Sequence, residues 1–113
     1  MARLPIIDPA KSTGKAHELL TAVQKKLGLV PNMTRVMVNS PAVLEAYIGF
    51  SGALDGGSLN AKTRERIALG VAEANQCNYC LSAHTTIGSL VGLNEAEILD
   101  SRRARSPFSR LST

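Results

Sequence analysis

Apolar residues recur every three or four positions through most of the chain, and no segment alternates apolar and polar residues over the length of a strand. This spacing places apolar side chains on one face of an α-helix. The pattern therefore predicts an all-α fold of about five or six helices. The predicted helices run to about Lys26, through Met33–Met37, from Pro41 to near Asp55, from Ala61 to Ala74, from Asn78 to Val91, and after Asn94 to Asp100.

Residues typical of helix ends lie between these segments. Gly28 and Gly92 each follow an apolar stripe and are placed to end a helix. Asn60 can cap the helix that follows it, and Pro41 suits a first helical position. The pair Asn75–Gln76 indicates only a short break, so the fourth and fifth helices follow each other closely.

Length and composition indicate one small globular domain. The chain has 113 residues, of which 44% are hydrophobic, and we expect a single compact helical domain over residues 1–106. Residues 107–113 are predicted to form a flexible tail. Because small domains leave apolar surface uncovered, we also expect a homo-oligomer. The start of the chain lacks an apolar run of signal-peptide length and no segment could span a membrane, so we expect a cytoplasmic protein without a membrane partner.

The formal net charge of +4 does not indicate nucleic-acid binding. Residues 1–100 carry nine basic and nine acidic side chains, so this part of the chain is formally neutral. The excess comes from the last thirteen residues, which hold four arginines: Arg102, Arg103, Arg105 and Arg110. No basic stripe with interleaved aromatic residues is present, and we expect no nucleic-acid partner.

The candidate chemistry lies in a Cys-x-x-Cys motif at the predicted start of the fifth helix. Cys77 and Cys80 are the only cysteines, and His84 follows Cys80 by four residues. In a helix these spacings bring the side chains onto one face. Cysteines at helix N-termini favour the thiolate, the nucleophilic form of the thiol, and a histidine one turn away can carry its proton. The motif therefore predicts redox chemistry at sulfur.

Two other interpretations of the motif remain open at this point. The cysteines could be small core residues with His84 as a polar neighbour. They could also bind zinc together with His84, but these residues supply three ligands and the second histidine, His17, lies in a distant helix. A structural zinc site generally has four ligands, and we expect neither a metal nor a cofactor.

Two carboxylates on the fourth helix are candidates for moving protons. Glu65 shares a helical face with the small and apolar residues Ala68, Leu69 and Ala72, which would shield it from solvent. Alternatively, Glu65 could form surface ion pairs with the basic residues around it, Lys62, Arg64 and Arg66. Glu73 lies closer to the cysteines in sequence and is the second candidate.

These residues together resemble the motif of the alkylhydroperoxidase D and carboxymuconolactone decarboxylase superfamily. That motif has a glutamate, eleven residues, Cys-x-x-Cys, three residues and a histidine, which here are Glu65, Cys77, Cys80 and His84. The resemblance covers about residues 4–106. Outside the motif, one segment is similar to the branch often called peroxidase-related enzymes: LVPNMTRVMVNSPAVLEAYIGFSGALDGGSLNAKTRERIALGVAEAN.

The resemblance implies an all-helical trimer or hexamer that reduces hydroperoxides and is regenerated by a thiol or dithiol reductant. It implies that peroxide attacks Cys80 to give a sulfenic acid, that Cys77 resolves it to a disulfide, and that Glu65 and His84 move protons through water. Tyr79 stands where related proteins have a second histidine. Gln76 stands where they have a glycine, and it would have to adopt the conformation of a tight turn.

The superfamily also suggests two alternative functions. Its decarboxylase members are lyases that act on a lactone carboxylate without a cysteine pair, so the motif favours redox chemistry. A non-catalytic oligomeric module is the third possibility, and it would be favoured if the cysteines proved unreactive.

Relatives continue into a further helix after the segment SRRARS, and we therefore expect this chain to be C-terminally truncated.

Overall fold

The computed structural model describes residues 3–104, and within this range every regular element is helical. A short 3₁₀ helix spans Pro9–Lys11 and precedes six α-helices. The α-helices are α1 (Gly14–Leu27), α2 (Asn32–Met37), α3 (Pro41–Asp55), α4 (Ala61–Ala74), α5 (Asn78–Leu90) and α6 (Glu95–Arg102). The predicted all-α class is confirmed, and the predicted helix ends agree with the observed ones to within about two residues.

The glycines that were predicted to end helices do so through the left-handed conformation. Gly28 follows α1 with a φ of 77°, and its N–H donates to the carbonyl of Gln24. Gly92 has a φ of 102°, and the N–H of the next residue, Leu93, donates to the carbonyl of Gly88. Glycine adopts this conformation without the steric cost that a Cβ brings, so the two positions stop α1 and α5 at defined residues.

Contacts within the chain divide it into two units, the first ending at Leu54 and the second beginning at Asp55. The assignment of residues 1–106 to one domain stays a prediction, and the predicted tail, residues 107–113, lies outside the described residues. The core of the first unit contains a cluster of four buried residues: Leu19, Leu20, Val38 and Leu44.

The second unit is built around α4, which packs against both α5 and α6. Its buried core contains Leu69, Leu93 and Ile98. At Gly70 the backbones of α4 and α6 approach closely, since a Cβ built there would lie 3.3 Å from the carbonyl oxygen of Ser101. The unit therefore places α5 and α6 against the same central helix, and α4 can present different residues to each.

Helix α6 begins with a capping box. The side chain of Asn94 accepts from the N–H of Glu97 at 2.8 Å, and the carboxylate of Glu97 accepts from the N–H of Asn94 at 3.3 Å. Glu97 also accepts from the guanidinium of Arg66, and this bond, with that from Asn94, holds the pKa of the Glu97 carboxyl below its usual range. The cap defines where α6 starts beside α4.

Several large apolar residues are exposed although the helical spacing predicts packed apolar faces. Leu27, the last residue of α1, is half exposed. Helix α3 buries Leu44, but four of its apolar residues form one exposed line, here called the α3 stripe: Val43, Tyr47, Phe50 and Leu54. No helix among residues 3–104 is both long enough and apolar enough to cross a membrane.

Candidate functional site

The connection from α4 to α5 is three residues long and ends α4 with a Schellman motif. The N–H of Gln76 donates to the carbonyl of Glu73 at 3.1 Å, and the N–H of Cys77 donates to that of Ala72 at 3.0 Å. Gln76 itself is left-handed, with a φ of 53°. The expected turn at Gln76 is therefore present, and a residue with a Cβ occupies a position that favours glycine.

Cys77 closes one helix and opens the next. Its backbone N–H completes the Schellman motif of α4, while its side chain is the N-cap of α5 and accepts from the N–H of Cys80 at 3.2 Å. Cys77 and Cys80 form a disulfide with their Cα atoms 5.2 Å apart. The local fold thus holds the cysteine pair at the first turn of α5, against the end of α4.

Glu65 and His84 are in direct contact between α4 and α5. Oε2 of Glu65 lies 2.6 Å from Nδ1 of His84, and because a carboxylate can only accept, Nδ1 must carry the proton. The Glu65 side chain is 15% exposed and that of His84 is 32% exposed. Glu65 therefore lies on the sheltered face that its neighbours Leu69 and Ala72, both buried, were expected to form.

The contact changes the protonation behaviour of His84. The hydrogen bond to Glu65 and the negative charge of that carboxylate raise the pKa of His84 above its ordinary value, against an opposing effect of partial burial. The imidazole is therefore a stronger base than a free histidine, and its Nε2 atom remains to exchange protons. His84 follows Cys80 by one turn of α5, so base and thiol share a helix face.

The other carboxylate candidate, Glu73, points to a different partner. Its carboxylate accepts from Arg102 of α6 at 2.9 Å, and its side chain is 44% exposed. Two of the three basic neighbours of Glu65 are also engaged elsewhere, since Arg64 pairs with Asp55 at 3.5 Å and Arg66 pairs with Glu97. The structure thus brings Glu65, and not Glu73, to the histidine.

The rest of the connection carries no formal charge. Between Glu73 and His84 the sequence has no Lys, Arg, Asp or Glu, and Tyr79 between the two cysteines is about half exposed. Among residues 3–104 no group of three or more His, Cys, Asp or Glu side chains could hold a metal ion. The cysteine pair together with the bonded Glu65 and His84 suits thiol chemistry assisted by a carboxylate–imidazole pair.

The sequence did not reveal that Cys77 caps two helices at once. The short break was a possible indication of this double role. Only three residues separate α4 from α5, so one of them has to complete the first helix and begin the second. Helical periodicity also could not predict the direct bond between Glu65 and His84, because these residues are nineteen positions apart and lie on different helices.

Comparison with known proteins points to one family. The sequence model described as the carboxymuconolactone decarboxylase family matches residues 41–111, which include the whole Glu65 to His84 motif. Over 45 residues the chain is 49% identical to an uncharacterized protein of Haemophilus influenzae. That match covers 39% of this chain and 40% of the relative, so it spans less than half the length of either protein. No solved structure matches the chain.

Proposed function

Because the chain belongs to the carboxymuconolactone decarboxylase family and carries a Cys77–Cys80 disulfide beside a Glu65–His84 pair, we propose that it is a thiol-dependent peroxidase. The protein would reduce hydroperoxides while its cysteine pair cycles between dithiol and disulfide. The observation that carries the proposal is the position of the disulfide, one helical turn from a histidine that a sheltered carboxylate orients. This arrangement combines a nucleophile with a base and with the group that orients the base.

The first step takes place at Cys80. Nε2 of His84 removes the thiol proton, directly or through water, and the contact with Glu65 stabilises the resulting imidazolium. The thiolate attacks the terminal oxygen of the hydroperoxide and the O–O bond breaks. The departing alkoxide takes the proton back from His84 and leaves as the alcohol. Cys80 is thereby oxidised by two electrons to the sulfenic acid.

The second step closes the disulfide. The sulfur of Cys77 attacks the sulfur of the Cys80 sulfenic acid, the S–O bond breaks, and water leaves. A reductant with two thiols then restores the pair by thiol–disulfide exchange and becomes a disulfide itself. Over a full cycle one hydroperoxide and one dithiol yield an alcohol, water and the oxidised reductant. The Cys77–Cys80 disulfide supports the proposal, because the cycle requires that these two sulfurs can bond to each other.

The test is to follow both thiols during a stoichiometric reaction with cumene hydroperoxide. Reduced wild type should lose two thiols for each peroxide consumed. Cys77→Ser should accumulate a sulfenic acid at Cys80 that dimedone traps, while Cys80→Ser should keep its remaining thiol and leave the peroxide unreacted. Serine is nearly isosteric with cysteine and is a favoured N-cap residue, so Cys77→Ser retains the start of α5.

Two results would lead to other functions. If reduced wild type keeps both thiols under conditions that oxidise a known thiol peroxidase, the peroxidase proposal is wrong. The family's name raises lactone decarboxylation as the alternative, and that reaction would continue unchanged in a Cys77→Ser, Cys80→Ser double variant.

A further inference from the structure

Helix α4 has three faces, and one of them keeps its apolar side chains exposed to solvent. Glu65 lies on the face toward α5, and Gly70 lies on the face toward α6. The third face carries Ile67, Val71 and Ala74, which follow one another at helical spacings of four and three and are all exposed. We call these three residues the open face of α4. Because none of them is charged or polar, the open face suits an apolar partner.

We propose that residues 107–113 of the same chain bind the open face of α4. Phe108 and Leu111, the two large apolar side chains of this segment, cover the open face. The sequence alone predicts a flexible tail for these residues, so the proposal replaces that expectation with a defined binding surface. The inference goes beyond the proposed function and does not depend on it, because no step of the thiol chemistry involves the open face.

The course of α6 brings the chain to one end of the open face. Contacts between α4 and α6 occur in the same order along both helices: Arg66 with Glu97, Gly70 with Ser101, and Glu73 with Arg102. The two helices therefore run in the same direction, and the guanidinium of Arg102 donates to the last turn of α4. Ala74, which follows Glu73, belongs to the open face. The chain thus leaves α6 beside the C-terminal end of the open face.

Helix α6 ends in a sharp turn. The N–H of Arg103 donates to the carbonyl of Leu99 at 3.1 Å, and the N–H of Ala104 donates to that of Ser101 at 3.0 Å. Ala104 is left-handed, with a φ of 53°. A left-handed residue at this position ends a helix and changes the direction of the chain. The chain therefore turns off the axis of α6 at Ala104, next to the open face.

The segment is long enough to cover the open face. Ile67 and Ala74 are seven residues apart, which is about 10 Å along a helix that rises about 1.5 Å per residue. Leu111 follows Ala104 by seven residues, and an extended chain of that length can reach about 23 Å. Only two residues link Ala104 to the segment. A short link holds the segment at a high effective concentration near the open face, an advantage that the same segment of a second copy lacks.

The family match includes the segment. It runs from residue 41 to residue 111, so both Phe108 and Leu111 fall within it. These residues therefore belong to the part of the chain that resembles the family's domain. An apolar segment inside the match and an exposed apolar face beside its starting point are the two sides of the contact that we propose.

The test measures how well the segment shields a thiol placed on the open face. Cys77→Ser and Cys80→Ser first remove the native thiols, and serine keeps the N-cap of α5. Val71→Cys then introduces a single thiol on the open face. Ser82→Cys introduces one at an exposed position of α5 instead and is the matched control. The rate of reaction with N-ethylmaleimide reports the accessibility of each thiol.

We expect the open-face thiol to react about tenfold faster when residues 107–113 are removed. A segment that is bound for about nine-tenths of the time leaves the thiol accessible for about one-tenth, which gives this factor. In the full chain, Phe108→Ser combined with Leu111→Ser should produce the same increase without a change in length. The control thiol should react at one rate in all three proteins, and circular dichroism should show the same helical content.

Two results would overturn the proposal. The first is an open-face thiol that reacts at the same rate in all three proteins. The second is a protection that disappears on about hundredfold dilution, because a contact within one chain does not depend on concentration and a contact with a second copy does. If the deletion also speeds the control thiol, the shortened chain has lost its fold, and the two serine substitutions in the full chain decide between these results. Both native cysteines are absent, so the proposed peroxidase function plays no part in the outcome.

Discussion

At the scale of single residues, the feature that matters most is the bond between Glu65 and His84. A carboxylate that is mostly sheltered from water holds one ring nitrogen and leaves the other for proton exchange. The exposed Glu73 offers a natural comparison, because it lies on the same helix, has the same chemistry and pairs with an arginine instead. Variants of the two glutamates can therefore distinguish the effect of losing the Glu65–His84 bond from the effect of losing a negative charge on α4.

Removing either member of the pair should slow peroxide reduction. We expect Glu65→Gln and His84→Gln each to lower the rate of Cys80 oxidation by about tenfold to ten-thousandfold, the range typical of general acid–base groups. Glu73→Gln is the matched control and should react at the wild-type rate. Stopped-flow measurement of thiol loss with cumene hydroperoxide gives the rates. A normal rate in Glu65→Gln together with a large loss in Glu73→Gln would transfer the role to Glu73.

The same pair should make folding stability depend on pH. Because Glu65 raises the pKa of His84, the folded protein holds this proton more tightly than the unfolded chain does. The stabilisation is complete below about pH 6.5, the ordinary histidine pKa, and is lost as the pH rises through the raised value. Urea unfolding of the oxidised protein should therefore show a larger loss of stability from His84→Gln at about pH 6 than at about pH 9. For Glu73→Gln the loss should be the same at both values.

At the scale of the elements, the decisive feature is the three-residue connection between α4 and α5. It ends one helix, caps the next and holds the disulfide, all through Cys77. The connection also contains a residue in an unfavourable conformation, since Gln76 has a φ of 53°. Because non-glycine residues in this region carry a steric cost, the turn that positions the cysteine pair lowers the stability of the fold.

Replacing Gln76 by glycine should stabilise the protein. Glycine removes the Cβ that opposes the left-handed conformation, and after the greater freedom of glycine in the unfolded chain is subtracted we expect a gain of about 1 kcal/mol. Gln76→Ala keeps the Cβ and should change the free energy of unfolding little, so it serves as the control in urea denaturation. The thiol reaction should stay within about twofold of wild type, and a loss of stability in Gln76→Gly would mean that the glutamine side chain stabilises the turn.

At the scale of the whole molecule, apolar surface is the notable feature. The α3 stripe leaves four large apolar side chains exposed, the most exposed being Phe50 at 66%. Contiguous apolar surface of this kind on a small protein commonly marks a place where another chain binds. The partner that we expect from the sequence is a second copy of this chain, because small domains leave apolar surface uncovered.

The protein should therefore not be a monomer at micromolar concentration. Sedimentation velocity is expected to give a trimer or a hexamer of the 12.0 kDa chain. Phe50→Ser should shift the distribution toward smaller species if the α3 stripe is covered in the assembly, while Leu90→Ser, an equally apolar and more exposed position outside the stripe, should not. A single 12 kDa species in wild type would contradict the expectation of an oligomer.

The sequence by itself determined the helices and the position of the Cys-x-x-Cys motif. Helical periodicity and end signals are local, so Gly28, Asn60 and Gly92 could be read in order along the chain, and the observed helices follow them. The spacing of Cys77, Cys80 and His84 is local in the same sense, because all three lie in one helix or at its start. The left-handed turn at Gln76 was also expected, but from the family resemblance and not from the residues alone.

Only the tertiary structure decided which residues of different helices meet. Periodicity alone left Glu65 and Glu73 as rival candidates, and the resemblance favoured Glu65. The packing of α4 between α5 and α6 directs Glu65 to His84 and Glu73 to Arg102. Periodicity likewise could not show that Val43 and Phe50 remain exposed while Leu44 is buried. A helix pattern specifies a face, but the partner of that face depends on contacts that are distant in sequence, and those contacts exist only in the folded chain.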